Sequence, residues 1–173
     1  KAQGLRFSCE VTPHHLLGHD SAYRVNPPLR SLEDTRALLE GCLDGSIDCL
    51  STDHAPHSPQ DKAQGMAGIS NIEYAFSIFW RLFQENGIPL SRLSQMASRT
   101  PARLLGRNAG LLRPGMDADL VVVDTKAVRV LREQEMVSRS HNTPFSGEKL
   151  LGRVLYTIVE GEIRYAYDGR AGL

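Results

Sequence analysis

The stretch Ile47-Asp48-Cys49-Leu50-Ser51-Thr52-Asp53-His54-Ala55-Pro56-His57 begins as a short apolar run and ends in a carboxylate and two imidazoles, with Pro56 stopping any regular continuation. A strand that delivers Asp and His at its C-terminal end is how parallel α/β barrels build active sites. Asp53 can there ligate a metal, act as a base, or close the next turn through its own carboxylate, and the last role is the commonest for an Asp in a generic sequence. His57, four residues on across a proline, shifts the balance towards chemistry, because a second imidazole near one strand end can bind substrate or stabilise charge. His54 points away from Asp53 if strand alternation persists, and reads as a packed, hydrogen-bonded side chain.

Two further groups deserve weighing. Glu10 with His14 and His15 could form a metal site. Adjacent histidines do not easily face one ion, so the favoured reading has one packed and the other exposed. Asn26 precedes Pro27-Pro28, which fix φ and remove donors, so it sits in a rigid, extended segment. Its amide offers both donor and acceptor, which suits an imide or amide substrate; a plain turn Asn is the alternative. The sequence contains no HExxH, GxSxG, P-loop or GxGxxG pattern.

These residues need elements to hold them. The 173 residues suffice for one domain with a small appendage, and an apolar fraction of 41% supports a packed core. Lys and Arg together equal Asp and Glu, so charge gives no case for nucleic acid or a membrane surface as partner. No apolar run approaches the roughly 20 residues of a membrane span. Three cysteines, none at CxxC spacing, point to a reduced, cytoplasmic setting rather than a disulfide framework or zinc ribbon. Lys1–Gly4 reads as the last turn of a helix, as though cut from a longer chain.

Leu5–Val11 alternates apolar and polar and predicts a strand. Thr12–Arg30 reads as a long loop, of the kind that is usually functional. Ser31 and Asp34 form a capping box for a helix with Leu32, Leu38, Leu39, Cys42 and Leu43 at helical spacing, ended by Gly45. The strand Ile47–Thr52 follows, so strand, helix and strand make a parallel βαβ unit. Ser58–Gly68 reads as a loop. Ser70-Asn71-Ile72-Glu73 reads as a second capping box, opening a helix with Ile72, Ala75, Phe76, Phe79, Leu82 and Phe83 on its buried face. Short helices are predicted at Leu90–Ala97 and Pro101–Leu105, the latter capped by Thr100. From Leu111 the texture turns β-rich: a turn at Pro114-Gly115, a strand Ala118–Asp124, and a hairpin of Val154–Val159 and Glu162–Tyr165 around Glu160-Gly161. Two parallel strands cannot close a barrel.

Three motifs in order, Cys9-Glu10-Val11-Thr12-Pro13-His14-His15-Leu16, Val25-Asn26-Pro27-Pro28-Leu29-Arg30 and Ser51-Thr52-Asp53-His54-Ala55-Pro56-His57, resemble the dihydroorotases of the amidohydrolase superfamily. Thr100–Gly106, Pro114–Val121 and Asn142-Thr143-Pro144-Phe145-Ser146-Gly147 fit the same resemblance, which covers nearly the whole chain. It implies an α/β fold: the last two strands and helices of a (β/α)8 TIM-type barrel over residues 1–108, and a β-sandwich segment over 109–173.

The same resemblance implies a zinc enzyme of one or two ions that closes or hydrates a cyclic amide, interconverting N-carbamoyl-L-aspartate and dihydroorotate in pyrimidine biosynthesis. Asp53 then both ligates the metal and carries the catalytic proton. His57, Asn26 and the backbone at Ala67 and Gly68 contact substrate, although the family often has Phe where this chain has Ala67. Glu10 is a metal ligand in some members. The family's His-x-His, its bridging lysine or aspartate and its two later histidines have no counterpart here and would precede Lys1. One carboxylate cannot hold a catalytic zinc, which needs three or more protein ligands, so the isolated chain is expected to show little activity. A homo-oligomer or an aspartate carbamoyltransferase is the implied protein partner. The alternatives are a non-catalytic scaffold for such a transferase, which would have no need of Asp53 and His57, and an allantoinase- or hydantoinase-type amidohydrolase.

Overall fold

A computed structural model describes residues 4–18 and 21–169. The expected helical turn at Lys1–Gly4 falls mostly on residues 1–3, outside the described residues.

The first strand, β1, is only Glu10–Val11 and pairs in parallel with β2, Cys49–Leu50. The backbone ladder runs slightly further: the Cys9 carbonyl accepts from Asp48 N and Cys49 N, and Ser51 N donates to the Val11 carbonyl. The predicted strand over 5–11 is thus cut to its end. Leu5 and Phe7 are exposed, because alternation makes a strand only where a neighbouring strand takes its hydrogen bonds and a core takes its apolar face.

Between β1 and β2 lie α1, Pro13–Leu17, and α2, Leu32–Asp44. The loop expected over 12–30 therefore contains a helix. Thr12 caps α1 by accepting from His15 N, and Pro13 occupies its first turn, where a missing N–H costs nothing. The Ser31/Asp34 capping box forms as expected, and Gly45 ends α2 in the left-handed conformation at φ 90°. Leu39 and Cys42 are buried, whereas Leu32 and Leu43 face out.

After β2 comes α3, Pro59–Ala63, inside the segment expected to be a loop; Ser58 and Asp61 form its capping box. Its own residues are all unburied, so no apolar period marked it. The next helix, α4, is Ala75–Glu85, capped at Tyr74 without a side-chain bond. The capping box read at Ser70–Glu73 does not form: the Glu73 carboxylate instead accepts from Val137 N and Ser138 N at 2.7 Å each. Ile72 is exposed, while Tyr74, Ala75, Ile78, Phe79, Leu82 and Phe83 are buried. The two short helices expected next join: α5, Leu90–Ser94, passes through a π-helical turn at Gln95–Arg99 into α6, Thr100–Leu104. Thr100 is accordingly the first residue of α6 rather than its N-terminal cap.

The remaining strands are β3, Leu120–Val130, β4, Lys149–Val159, and β5, Glu162–Ala166, an antiparallel sheet in that order, with a 3-10 turn at Glu133–Glu135 between β3 and β4. Glu160 and Gly161, at φ 53° and 80°, make the two-residue hairpin turn between β4 and β5. Helix α4 lies directly on this sheet. A Cβ at Gly152 would meet Phe76 and Trp80 at 3.0 Å, Ser77 Oγ donates to the Gly152 carbonyl, and Trp80 Nε1 donates to the Thr125 carbonyl. Arg81 adds bonds to Glu148 and the Lys149 carbonyl. One core cluster runs from Val11 and Leu16 through α4 to Leu131 and Leu150.

Candidate active site

The chain leaves β2 by an abrupt turn. Asp53 has φ 46°, a left-handed conformation that Asp adopts more readily than most non-glycine residues. That turn carries the carboxylate out of the core: the side chain is 52% exposed. The loop is held by Ala55 N donating to the Ile69 carbonyl and by Asn71 Nδ2 donating to the Thr52 carbonyl at 2.6 Å. His54 faces the other way, its Nδ1 accepting from Asn71 N and Ile72 N, which is the packed, bonded role expected of it.

The two histidines of α1 differ in burial, one packed as expected and the other half-buried rather than exposed, with ring centroids 4.5 Å apart. His14 is fully buried, with Nε2 4.0 Å from Asp53 Oδ2 and Nδ1 3.0 Å from Asn71 Nδ2. Burial, reinforced by the neighbouring His15, pulls its pKa down to about 4, so the ring is neutral at physiological pH. His15 is half-buried and lies between Thr12 Oγ1, 2.6 Å from Nδ1, and the Pro27 carbonyl, 2.9 Å from Nε2. Glu10 is exposed, and among the described residues no three His, Cys, Asp or Glu side chains gather as ion ligands. Asp53 offers one carboxylate at the strand end; a catalytic zinc takes three or more protein ligands, so this residue could supply one of them and cannot hold the ion by itself.

His57, Ala67 and Gly68 come together. His57 Nε2 lies 2.9 Å from the Ala67 carbonyl. Gly68, at φ 151°, is packed so closely that a Cβ would meet the Ala55 carbonyl at 2.6 Å and the His57 ring at 2.7 Å, so only glycine fits. Gly68 N donates to the Arg24 carbonyl at 3.1 Å, which ties this corner to the segment leading into Asn26. Asn26 itself is exposed, and its bond to Pro27 is cis. Among the described residues no hydrogen bond is recorded from Asp53 to His57 or Asn26; the helix α1 links the two sides, with His14 beside Asp53 and His15 on the carbonyl of Pro27.

Three residues that pattern reading left without a role hold this corner. Lys62 spends its ammonium on the Arg24, Met66 and Gly68 carbonyls at 2.9–3.0 Å, and sits over the Tyr23 ring. Partial burial and the Arg24 charge lower its pKa. Asn142 Oδ1 accepts from His57 N at 3.1 Å and Ser70 Oγ at 2.7 Å, while Nδ2 donates to the Gly68 carbonyl at 3.2 Å. Ser140 Oγ lies against the His57 carbonyl and Asn142 Oδ1. Asn71, within the Ser70–Glu73 segment whose pattern predicts a cap, instead bonds to partners 19 and 57 residues away. The one sequence signal for Asn142 was its place in the Asn-Thr-Pro-Phe-Ser-Gly run. A cleft of about 500 Å³ opens beside His57, lined also by Tyr23, Lys62, Glu133, Arg139 and Asn142; its lining does not include Asp53.

A sequence profile of the Amidohydrolase family matches residues 9–164. The chain is 42% identical over 168 residues to a dihydroorotase of Clostridium botulinum (strain Eklund 17B / Type B), covering 95% of this chain and 42% of that protein. It is 43% identical over 177 residues to a dihydroorotase of Lactobacillus leichmannii, with the same two coverages. Among solved structures it superposes on the L-hydantoinase (dihydropyrimidinase) from Arthrobacter aurescens with a TM-score of 0.87 at 27% identity, over 94% of this chain and 40% of that one. The D-hydantoinase (dihydropyrimidinase) from Thermus sp. gives 0.89 at 25%, over 99% and 41%. The chain therefore spans about two fifths of the length of the relatives it matches.

Proposed function

The chain belongs to the amidohydrolase family, and from that membership we propose that it is the C-terminal part of a dihydroorotase, interconverting N-carbamoyl-L-aspartate and dihydroorotate. The family has an α/β metallo-hydrolase fold with a metal cofactor. In this reading β1 and β2 are the last strands of its barrel, residues 1–108 belong to that barrel, and β3–β5 form one layer of a β-sandwich within 109–173. The cofactor is zinc, with Asp53 as the ligand contributed by this chain and the remaining ligands contributed by other barrel strands. Bound there, the ion would supply electrophilic activation of the reacting carbonyl and a water molecule made acidic enough to attack at neutral pH.

The chain's own residues do the rest. Asp53, exposed at the strand end, accepts and returns the proton that the reaction moves. His57, anchored on the Ala67 carbonyl, and Asn26, held at the end of its loop by the Pro27–His15 bond, bind the polar edge of the substrate; the Ala67–Gly68 backbone lines the same place. The observation that carries the reading is the identity of about 42% to dihydroorotases over 95% of the chain, with Asp53 delivered at the end of a parallel strand. Cytoplasmic location fits three free cysteines, and no helix among the described residues is long and apolar enough to cross a membrane.

The test is turnover of dihydroorotate by the intact protein with zinc, compared with hydantoin and allantoin. Dihydroorotate turnover that Asp53→Asn abolishes supports the proposal. Hydantoin turnover without dihydroorotate turnover moves the chain to the hydantoinase branch that its structural neighbours represent. No turnover of any of them, with zinc bound, favours a scaffold for a carbamoyltransferase.

A further inference from the structure

The consecutive histidines of α1 meet different partners: His14 Nε2 lies 4.0 Å from Asp53 Oδ2, and His15 Nε2 lies 2.9 Å from the Pro27 carbonyl. His14 is completely buried, and its Nε2 has no hydrogen-bond partner among the described residues. An orphaned N–H in the core is costly, so such a group needs an explanation. Among the described residues the acidic oxygen within 4.0 Å of it is Asp53 Oδ2, on a side chain about half exposed. The tautomer follows from the neighbours. The Thr52 carbonyl can only accept, so the Asn71 atom 2.6 Å from it is the amide nitrogen, a donor. That nitrogen also contacts His14 Nδ1 at 3.0 Å and gives it the second amide proton. His14 Nδ1 is therefore the acceptor, and the ring proton is on Nε2, the nitrogen 4.0 Å from Asp53 Oδ2.

The same logic fixes His15. The Pro27 carbonyl, 2.9 Å from Nε2, can only accept, so the proton is on Nε2 and Nδ1 accepts from the Thr12 hydroxyl. His15 thereby holds the carbonyl of Pro27, the residue that follows Asn26.

Resting on the dihydroorotase reading, we propose that α1 is the positioning element of the site, with His14 orienting the Asp53 carboxylate and His15 orienting the Asn26–Pro27 turn. The 4.0 Å separation exceeds a normal N–H···O distance by about 1 Å, so the proposed bond requires the β2 loop to close by that amount. Orienting bonds of this kind to a ligating or reacting carboxylate are typically worth 10- to 100-fold in metal affinity or activity.

The two histidines then predict opposite kinetic signatures in the intact protein. His14→Ala lowers kcat by about 10- to 100-fold with KM within threefold, and His14→Gln, whose amide N–H can replace Nε2–H, recovers most of the loss. His15→Ala raises KM severalfold with kcat within threefold. A merely structural role would lower thermal stability and move kcat and KM alike in both variants, and that outcome overturns the proposal, as does an unchanged kcat in His14→Ala. If the wild-type protein does not turn over dihydroorotate, the functional reading falls but the positioning claim is still decided by imidazole 15N spectra. The His14 ring must show an unprotonated Nδ1 and a protonated Nε2, and Asp53→Asn must shift the His14 signals while leaving those of His15 in place. A His14 ring protonated on Nδ1, or one indifferent to Asp53→Asn, overturns it; this readout also serves if His14→Ala does not fold.

Discussion

Asn142 offers the sharpest perturbation, because one side chain joins segments that are 74 and 85 residues away in sequence. In Asn142→Ala, His57 N and Ser70 Oγ each lose their acceptor, and the Gly68 carbonyl keeps Lys62 Nζ as its remaining donor. An unsatisfied buried donor costs about 1–3 kcal/mol. Asn142 is only half-buried, so water relieves part of this, and about 2–3 kcal/mol is expected for the pair. For a domain of this size that corresponds to a fall in Tm of roughly 5–10 °C. Asn142→Asp keeps both accepted bonds and loses the donations to the Gly68 carbonyl and to Tyr23 Oη, so it should cost less than the alanine change. In the proposed dihydroorotase reaction, the displaced His57 backbone should raise KM about tenfold in the alanine variant, equivalent to ~1.4 kcal/mol. Thermal unfolding and steady-state kinetics of the two variants check this. Equal losses in Ala and Asp, or a Tm within 1 °C of wild type in Asn142→Ala, would refute the claim that Oδ1 anchors the loop.

Three other outcomes follow from the same geometry. Gly68→Ala places a methyl 2.6 Å from the Ala55 carbonyl and 2.7 Å from the His57 ring at a φ of 151°; it should raise KM and lower Tm together, and an unaltered KM would show that His57 does not depend on this packing. The Cys42 thiol is fully buried and pushed up to about 12 by that burial, so native-state titration with a thiol reagent at pH 8 should leave it unmodified while half-buried Cys9 reacts; fast labelling of all three cysteines would contradict the packing of α2. Asp34 is held below the usual carboxylate range by the Ser31 hydroxyl and backbone N–H. A carboxyl depressed in the folded state stabilises above its unfolded value and loses that contribution as pH falls through the folded one. The acid sensitivity of the α2 N-terminus, followed by amide exchange below about pH 4, should therefore shrink in Asp34→Asn.

How much of this was readable depended on distance along the chain. The Ser31/Asp34 cap and the Glu160-Gly161 turn are decided within four residues, and the sequence predicts both. The same local signature at Ser70–Glu73 misleads because Glu73 is captured by backbone donors at 137 and 138, while at Ser58–Asp61 it was genuine but lacked the apolar period that marks a helix. The parallel pairing of β1 with β2 was legible from strand-helix-strand order; the length of β1 was not, because ladder partners set it. At the site, Asp53 and His57 were visible as residue types at one strand end. The His14–Asp53 and Asn142–His57 contacts, 39 and 85 residues apart, arise only once α1 and the segment before β4 are folded into place.

The left-handed backbone at Asp53 decides how its carboxylate should be interrogated. Alanine at φ 46° would combine two losses, the acid group and a residue type suited to that conformation, in one measurement. Asparagine visits the same region at little cost and keeps the shape of the side chain. A difference between the asparagine protein and the parent therefore reports charge and proton affinity alone, while the further drop on going from asparagine to alanine gauges the conformational toll of the turn.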